Sequence, residues 1–588
     1  MKNKQLTALF LSVALLTGTT GCGQAAQKEA MLQENTAAEA AVEEVTEAAP
    51  IGESESSYES YPEYEAAEEA DTTGTNMMEK TSLQCTTDST STDTDSYLQS
   101  CYTYEDSSDY EENSEEYSKL EEQGFTSVLK QPLSTFAADV DTASYSNMRR
   151  MITDGYQLED FPEDSIRIEE LLNYFSYNYK GPKADEPFGV NTTISTCPWN
   201  TEAQLMMIGL QTENIDFSKA PASNLVFLID VSGSMYDEDK LPLLQKSFCM
   251  LTENLTDKDR VSIVTYAGSD EVIIEGVRGD KTRVITNAIN TLEADGGTNG
   301  SEGIETAYAL AEDYFIEGGN NRVILATDGD LNIGLTSEDE LEKLISEKKE
   351  SGVFLSVLGF GTGNIKDNKM ETLADKGNGN YSYIDSVKEA RKVLVEEMGA
   401  NLLTICKDVK LQVEFNPEVI ESYRLIGYDN RVMDRKDFNN DKKDGGEIGA
   451  GHSVTALYEI ILKEPLTDLS QEEISSLKYA DSFVSEQSKQ FDTSEQKSNE
   501  WLTISIRYKK PSNSKSSLLT YPVTYKSYTE DPDEDYRFAA AVAEFGLIAS
   551  DSEYQEEADI DAVIKTLKTL DLNDDYKEEF LALVEEIQ

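Results

Sequence analysis

Four segments of this 588-residue chain are almost continuously apolar and β-branched: LVFLID (225–230), VSIVTY (261–266), RVILATD (322–328) and VFLSVLGFG (353–361). Runs this short and this uniformly apolar call for strands covered on both faces. Between them, LPLLQKSFCMLTENL (241–255) and SEGIETAYALAEDYF (301–315) space their apolar residues by three and four, as at Ile304, Ala307, Tyr308, Ala311 and Phe315. Strand and helix alternating in this way imply an α/β, doubly wound, Rossmann-like domain with a parallel central sheet. Its expected extent is 216–397.

The chain is too long for one hydrophobic core, and about three to five units are expected. Ahead of the central domain, IRIEELLNYF (166–175) has a mostly helical period, with Pro162-Glu163-Asp164 as its expected start. We expect a small α+β domain over 125–215. Behind it, VKLQVEFN, VTALYEIIL, WLTISIRY and LLTYPVTY alternate apolar and polar residues, as antiparallel strands with one wet face do. FAAAVAEFGLIAS and EEFLALVEEI then read as amphipathic helices, so 398–588 is expected to be β-rich and to end in helices.

Residues 23–124 are dominated by Glu, Ser, Thr, Asp, Ala and Tyr, with Lys28, Lys80 and Lys119 their only basic residues. A stretch so poor in apolar side chains cannot offset its conformational entropy, and a disordered acidic linker is expected there. With the whole chain at a formal charge of −63, nucleic acid and anionic membrane surfaces are disfavoured as partners. Excess acid of this kind is most simply a solvated surface.

The first 22 residues read as an export signal. Lys2 and Lys4 precede an apolar run from Leu9 to Leu16, and Thr19-Thr20-Gly21-Cys22 follows. The segment resembles bacterial lipoprotein signals, which implies that Cys22 is lipidated and anchors an outward-facing protein to the cell membrane. No later run of about 18 apolar residues exists, so the membrane is expected to be reached only through that anchor. The remaining cysteines, Cys85, Cys101, Cys197, Cys249 and Cys406, show no C-x-x-C spacing. Pairing of Cys85 with Cys101 stays open, and Cys249, set among apolar residues, is expected to be a buried thiol.

Ligands of doubly wound sheets collect beyond the carboxyl ends of the strands. Three such loops carry oxygen donors here: LVFLID ends in Asp230-Val231-Ser232-Gly233-Ser234, GGTNG presents Thr298, and RVILATDGD presents Asp328. An all-oxygen set suits a hard cation, Mg²⁺, Mn²⁺ or Ca²⁺, and leaves a position for water or an incoming group. D-x-S-x-S, the G-G-x-N-type threonine loop and T-D-G, in that order, resemble the metal ion-dependent adhesion site of the von Willebrand factor A family. That resemblance implies Ser232, Ser234 and Thr298 as hydroxyl ligands and Asp230 and Asp328 as direct or water-mediated ones. Longer strings, among them STFAADVDTASYSNMRRM, SNLVFLIDVSGSM and FNNDKKDGGEIGAGHSVTALYEI, look like a bacterial group of exported A-domain proteins with a added N-terminal segment and a C-terminal domain of its own.

The expected function is non-enzymatic: a surface protein whose metal captures an acidic group of a protein partner. An envelope scaffold that needs no metal is the alternative, and a metal-dependent hydrolase stands behind both, because no base or nucleophile accompanies the ligands. Three further motifs receive no chemistry. Asp139-Val140-Asp141 is spaced like the aspartate pair of haloacid dehalogenase type phosphatases, but TFAA before it is not a full strand and Ala143 stands where Thr or Val is wanted. Asp437-Phe438-Asn439-Asn440-Asp441 opens like a calcium loop, yet Lys442 and Ile448 replace the glycine and glutamate that such a loop requires, which leaves a solvated turn. His452, the single histidine, is read as structural.

Overall fold

The computed structural model describes residues 114–588 except 139–140, 184–185, 215–219, 298–300, 330–337, 464–499, 512 and 556. The expected signal, most of the expected linker, Cys22, Cys85, Cys101, Asp139 and Thr298 lie outside the described residues. Among the described residues the first elements are two short strands, β1 (Thr126–Ser127) and β2 (Leu133–Ala137), and two helices, α1 (Ala143–Thr153) and α2 (Ile168–Asn173). Helix α2 starts later than Pro162-Glu163-Asp164 suggested: its N-cap is Arg167, in extended conformation. A hairpin of β3 (Phe188–Thr196) and β4 (Gln204–Thr212) follows.

Next comes the central domain. Its strands are β5 (Ser223–Asp230), β6 (Arg260–Tyr266), β7 (Asp270–Arg278), β8 (Asn320–Thr327), β9 (Phe354–Phe360) and β10 (Tyr381–Ile384). Between and after them lie α3 (Leu241–Thr252), α4 (Thr282–Asn290), α5 (Ser301–Asp313), α6 (Glu338–Lys348), α7 (Asp367–Lys376), α8 (Val387–Arg391) and α9 (Met398–Leu402). One sheet results, ordered β10-β9-β8-β5-β6-β7, and every residue of β5 is buried. Alternation within that strand feeds two cores: Val226 and Leu228 pack on one face, Leu225, Phe227 and Ile229 on the other. All pairs are parallel except β6 with β7, a hairpin whose short connection leaves no room for a crossover helix. The parallel sheet thus ends in one antiparallel edge.

The chain then returns through β11 (Thr404–Phe415), β12 (Ile420–Ile426), β13 (Gly446–Gly449), β14 (Ser453–Leu462), β15 (Glu500–Lys509) and β16 (Ser517–Thr524) to helices α10 (Glu534–Ala549), α11 (Ile560–Leu567) and α12 (Asp575–Glu586). The elements on both flanks are of the expected kinds, but 125–215 and 398–588 do not fold apart. One sheet has the order β1-β12-β14-β4-β3 and the other β13-β11-β15-β16, with β2 also paired to β11. Each therefore mixes strands from before and after the central domain. In β4, Met206 and Ile208 meet the second sheet, whereas Leu205 and Met207 meet a helical layer built from α1, α2, α10, α11 and α12. Covered on both faces, β14 is buried along most of its length rather than wet on one side. No helix among the described residues is long and apolar enough to cross a membrane.

The expected linker also ends earlier than residue 124. Ser114 N donates to Gly363 O (2.9 Å), Glu116 N to Ile365 O (2.9 Å), Leu120 N to Asp164 Oδ1 (3.0 Å) and Gln123 N to Asp429 Oδ1 (2.9 Å). Glu115 pairs with Arg150, and Glu122 with Arg424. This segment is held by backbone bonds and ion pairs, neither of which its polar composition excludes.

Guanidinium groups lock the central domain to its surroundings. Arg167, almost fully buried, pairs with Glu170 on its own helix and with Asp367 (2.6 Å) at the start of α7. Arg149 reaches Asp385 (2.7 Å), Glu389 (2.8 Å) and Glu579 (3.1 Å), and Arg431 binds Asp141, Glu371 and Asp375. Removing one partner of such a pair strands the others in a dry site. Replacing Arg167 by alanine should cost about 3–5 kcal/mol of stability, read as a lower urea midpoint by circular dichroism; a midpoint equal to that of the parent protein would show the cluster to be energetically neutral.

Candidate metal centre

Strand β5 delivers Asp230 to the carboxyl edge of the sheet with its carboxylate buried. Asp230 Oδ1 accepts the backbone N–H of Ser232 (2.9 Å), which turns the chain sharply as it leaves the strand. Oδ2 accepts the hydroxyl of Thr327 (3.3 Å) from the neighbouring β8. A single helical turn, Gly233–Tyr236, follows, pinned by the buried Met235. The turn brings Ser232 Oγ and Ser234 Oγ within 2.9 Å of each other.

The second loop is laced to the first by its backbone. Asp295 N donates to Val231 O (2.9 Å) and Gly233 N to Gly296 O (3.1 Å), so the chain that leads into Thr298 runs alongside the D-x-S-x-S turn. Thr298 itself lies outside the described residues. Asp328 follows β8 directly and is also fully buried. Its Oδ2 accepts Asn364 Nδ2 (3.1 Å) and Lys240 Nζ (3.2 Å). Four of the five expected ligands, Asp230, Ser232, Ser234 and Asp328, thus converge at the ends of β5 and β8.

The Asp230 carboxyl is pushed up to about 6, because burial and, to a lesser degree, the nearby Asp328 charge outweigh the hydrogen bonds from Ser232 that favour its ionised form. Two carboxylates drawn together out of water form an environment that a cation relieves. Oxygen donors alone, two of them hydroxyls, suit a hard divalent ion better than a soft one. The residues present therefore fit the metal that the sequence implies.

Sequence reasoning missed the groups that hold the ligands in place: Thr327, Lys240 and Asn364. Asn364 had a usable signal, since GFGTGN follows β9 and so lies at the same carboxyl edge as the ligand loops. Lys240 had none, because a lysine at the head of α3 reads as a solvated charge. The other singled-out motifs are structural. Asp141 accepts the backbone N–H of Tyr381 (2.9 Å) and pairs with Arg431. The 437–441 loop closes around an ammonium: Lys410 Nζ donates to the carbonyls of Asp437, Asn440 and Lys443. His452 is buried and its carbonyl accepts Thr212 N (3.0 Å). Cys249, expected to be buried, is partly exposed beside Asn290, whereas Cys197 and Cys406 are buried.

Comparison with known proteins identifies the domains around this site. Residues 224–396 match the model of the von Willebrand factor type A domain, residues 111–207 a model described as von Willebrand factor, and residues 400–588 one described as the C-terminal part of the uncharacterized protein YfbK. Over 478 residues the chain is 38% identical to the uncharacterized protein YfbK of Escherichia coli K12, covering 80% of each. The chain belongs to the YfbK family of von Willebrand factor type A proteins. Its A domain is a fold whose members commonly hold a divalent ion at this site and bind other proteins. Human inter-alpha-trypsin inhibitor heavy chain H3 is 25% identical over 262 residues, which span 41% of this chain and 29% of that one. Among solved structures, a von Willebrand factor type A protein from Catenulispora acidiphila aligns over 70% of this chain and 97% of its own at 13% identity and TM-score 0.36. A proximal thread matrix protein 1 from mussel byssus, described as having a zinc-occupied site of this type, aligns over 30% of this chain and 45% of its own at 21% identity and TM-score 0.26.

Gly329, next to Asp328, connects the ligand shell to its support. Its φ of +97° is one that side chains rarely adopt, and a Cβ there would lie 2.7 Å from Lys366 N and 3.3 Å from Asn364 O. Gly329→Ala should push the 364–366 loop away from Asp328 and weaken Mg²⁺ or Mn²⁺ binding about tenfold or more in calorimetric titration, the scale seen when groups that orient metal ligands are disturbed. Unchanged affinity would separate that loop from the site.

Proposed function

We propose that this protein is a binding protein of the bacterial cell surface. In this reading Asp230, Ser232, Ser234, Thr298 and Asp328 hold a divalent cation, Mg²⁺ with Mn²⁺ or Ca²⁺ as substitutes, and the metal takes up a carboxylate of a protein partner. The observation that carries the reading is the convergence of Asp230, Ser232, Ser234 and Asp328 on one edge of the sheet, with Ser234 only half-buried and so open to an incoming group. When bound, the ion supplies a Lewis-acidic position; the chain's own part is to orient the oxygens and keep the carboxylates dry. Thr327 and Asn364 are spent on holding ligands, an arrangement that favours capture over turnover.

The N-terminal reading completes the proposal: lipidation of Cys22 would hold the folded part outside the cell at the end of an acidic segment. Support for it is the order of charges, apolar run and Gly-Cys in the first 22 residues. Cys22→Ala should move the protein from the membrane fraction to the soluble one, and retention in the membrane would reject the anchor.

Asp230→Ala tests the site. Calorimetry with Mg²⁺, Mn²⁺, Ca²⁺ and Zn²⁺ should show heat for the parent protein and none for the variant, with circular dichroism spectra that superimpose. Crosslinking on intact cells, with and without chelator, should recover a partner only from the parent protein with metal present. A partner captured equally by Asp230→Ala would favour a scaffold that works without metal.

A further inference from the structure

Lys240 is nearly buried at the head of α3, although it is a cation placed against a site meant for a cation. Its backbone N–H is tied to Asp237 O (3.0 Å), and its side chain runs across the backbone of Gly361. A Cβ at Gly361, whose φ is +78°, would lie 2.4 Å from Lys240 Cε and 2.5 Å from Cγ, so the lysine stem occupies the space that any side chain there would need. Tyr383 Oη fixes the same turn by donating to Gly361 O (2.7 Å). The ammonium thus arrives along a built channel. It ends 3.2 Å from Asp328 Oδ2 and 3.5 Å from Asn364 Oδ1.

Charge counting gives this placement a consequence. Asp230 and Asp328 alone would neutralise a dication completely; with the Lys240 charge alongside, these three buried side chains sum to only −1. Buried charges are poorly screened by water or salt, so the difference is felt at the ion. Resting on the reading that these residues hold a divalent cation, we propose that Lys240 is a positioning residue that sets the charge of the site. It weakens the hold on the metal and leaves the bound ion with uncompensated positive charge, which selects an anionic oxygen as the next ligand. On this account the preference for a carboxylate partner is written into the protein behind the metal, not only into the metal.

The alternative role, in which Lys240 merely orients Asp328, predicts the opposite sign, since loss of an orienting group loosens a metal. Mn²⁺ titration followed by electron paramagnetic resonance, on the full chain, separates the two. Lys240→Met should bind Mn²⁺ at least about tenfold more tightly than the parent protein, since a like charge a few Å away in a partly dry site repels the ion by no less than that. Acetate, added to Mn²⁺-loaded protein and followed by the relaxation of metal-bound water, should bind the variant correspondingly more weakly. Lys240→Gln keeps a donor for Asp328 without the charge, and should behave like the methionine variant; it also serves if methionine is not tolerated. Mn²⁺ affinity that falls or stays level in a folded Lys240→Gln overturns the proposal. Failure of the underlying reading looks different: the parent protein would not bind Mn²⁺, or Asp230→Ala would bind it equally well.

Discussion

Arginines buried among carboxylates are what the remainder of this structure depends on. In a chain with 113 acidic and 50 basic residues, a guanidinium is a scarce resource, and Arg149, Arg167 and Arg431 are all spent where the A domain meets the elements around it. A planar fork can satisfy two carboxylates at once, which a lysine cannot do in the same geometry. Glu371 is shared by Arg167 and Arg431, and burial pushes its carboxyl up to about 8 despite both neighbours. The cluster is therefore specific as well as costly: a shifted helix α7 would leave charges unpaired, so the A domain has one seat.

That seat reaches the candidate metal centre through a short piece of chain. Helix α7 begins one residue after Lys366, and the preceding loop carries Asn364. Gly361 is held by Tyr383 and fills against Lys240, Gly363 is held by Ser114 and Glu115, and Ile365 accepts from Glu116. The wall behind Asp328 is thus fixed by Tyr383, by Lys240 and by the 114–116 segment. Preorganisation of this kind keeps buried oxygens aimed at an ion without a cost at the moment of binding.

What the sequence made legible was whatever is written locally. Uniform apolar runs announced the strands of the A domain, and strand-end motifs announced where Asp230, Ser232, Ser234 and Asp328 lie, because the end of a buried strand and the turn that follows it sit at the sheet edge. What stayed hidden depends on distant partners. Alternation in VTALYEIIL marks β14 as a strand, but nothing in it says that its partner is β4, more than 200 residues earlier, so the flanks read as two domains. Lys240 looks like a surface charge until Gly361 and Asp328 are placed beside it. Residues 114–124 look like linker because they bind through backbone and charge, which leave no hydrophobic trace. Only a structure shows Lys410 standing where a calcium-like loop would have put its ion.

Strand pairing across an inserted domain also fixes the order of events during folding. Gln211 in β4 faces Ser453 in β14, and Lys410 in β11 faces Ala137 in β2, so β1, β2 and β4 meet these later strands only after the whole A domain has been made. Contacts so distant in sequence form slowly, whereas the A domain can complete its own sheet from consecutive units. Until then the β3–β4 hairpin must wait with an open edge, and open edges invite pairing with other chains. The molecule's period of greatest vulnerability is therefore set by the length of its insertion, and a chaperone acting on it has most to protect in the first hundred residues of the folded body.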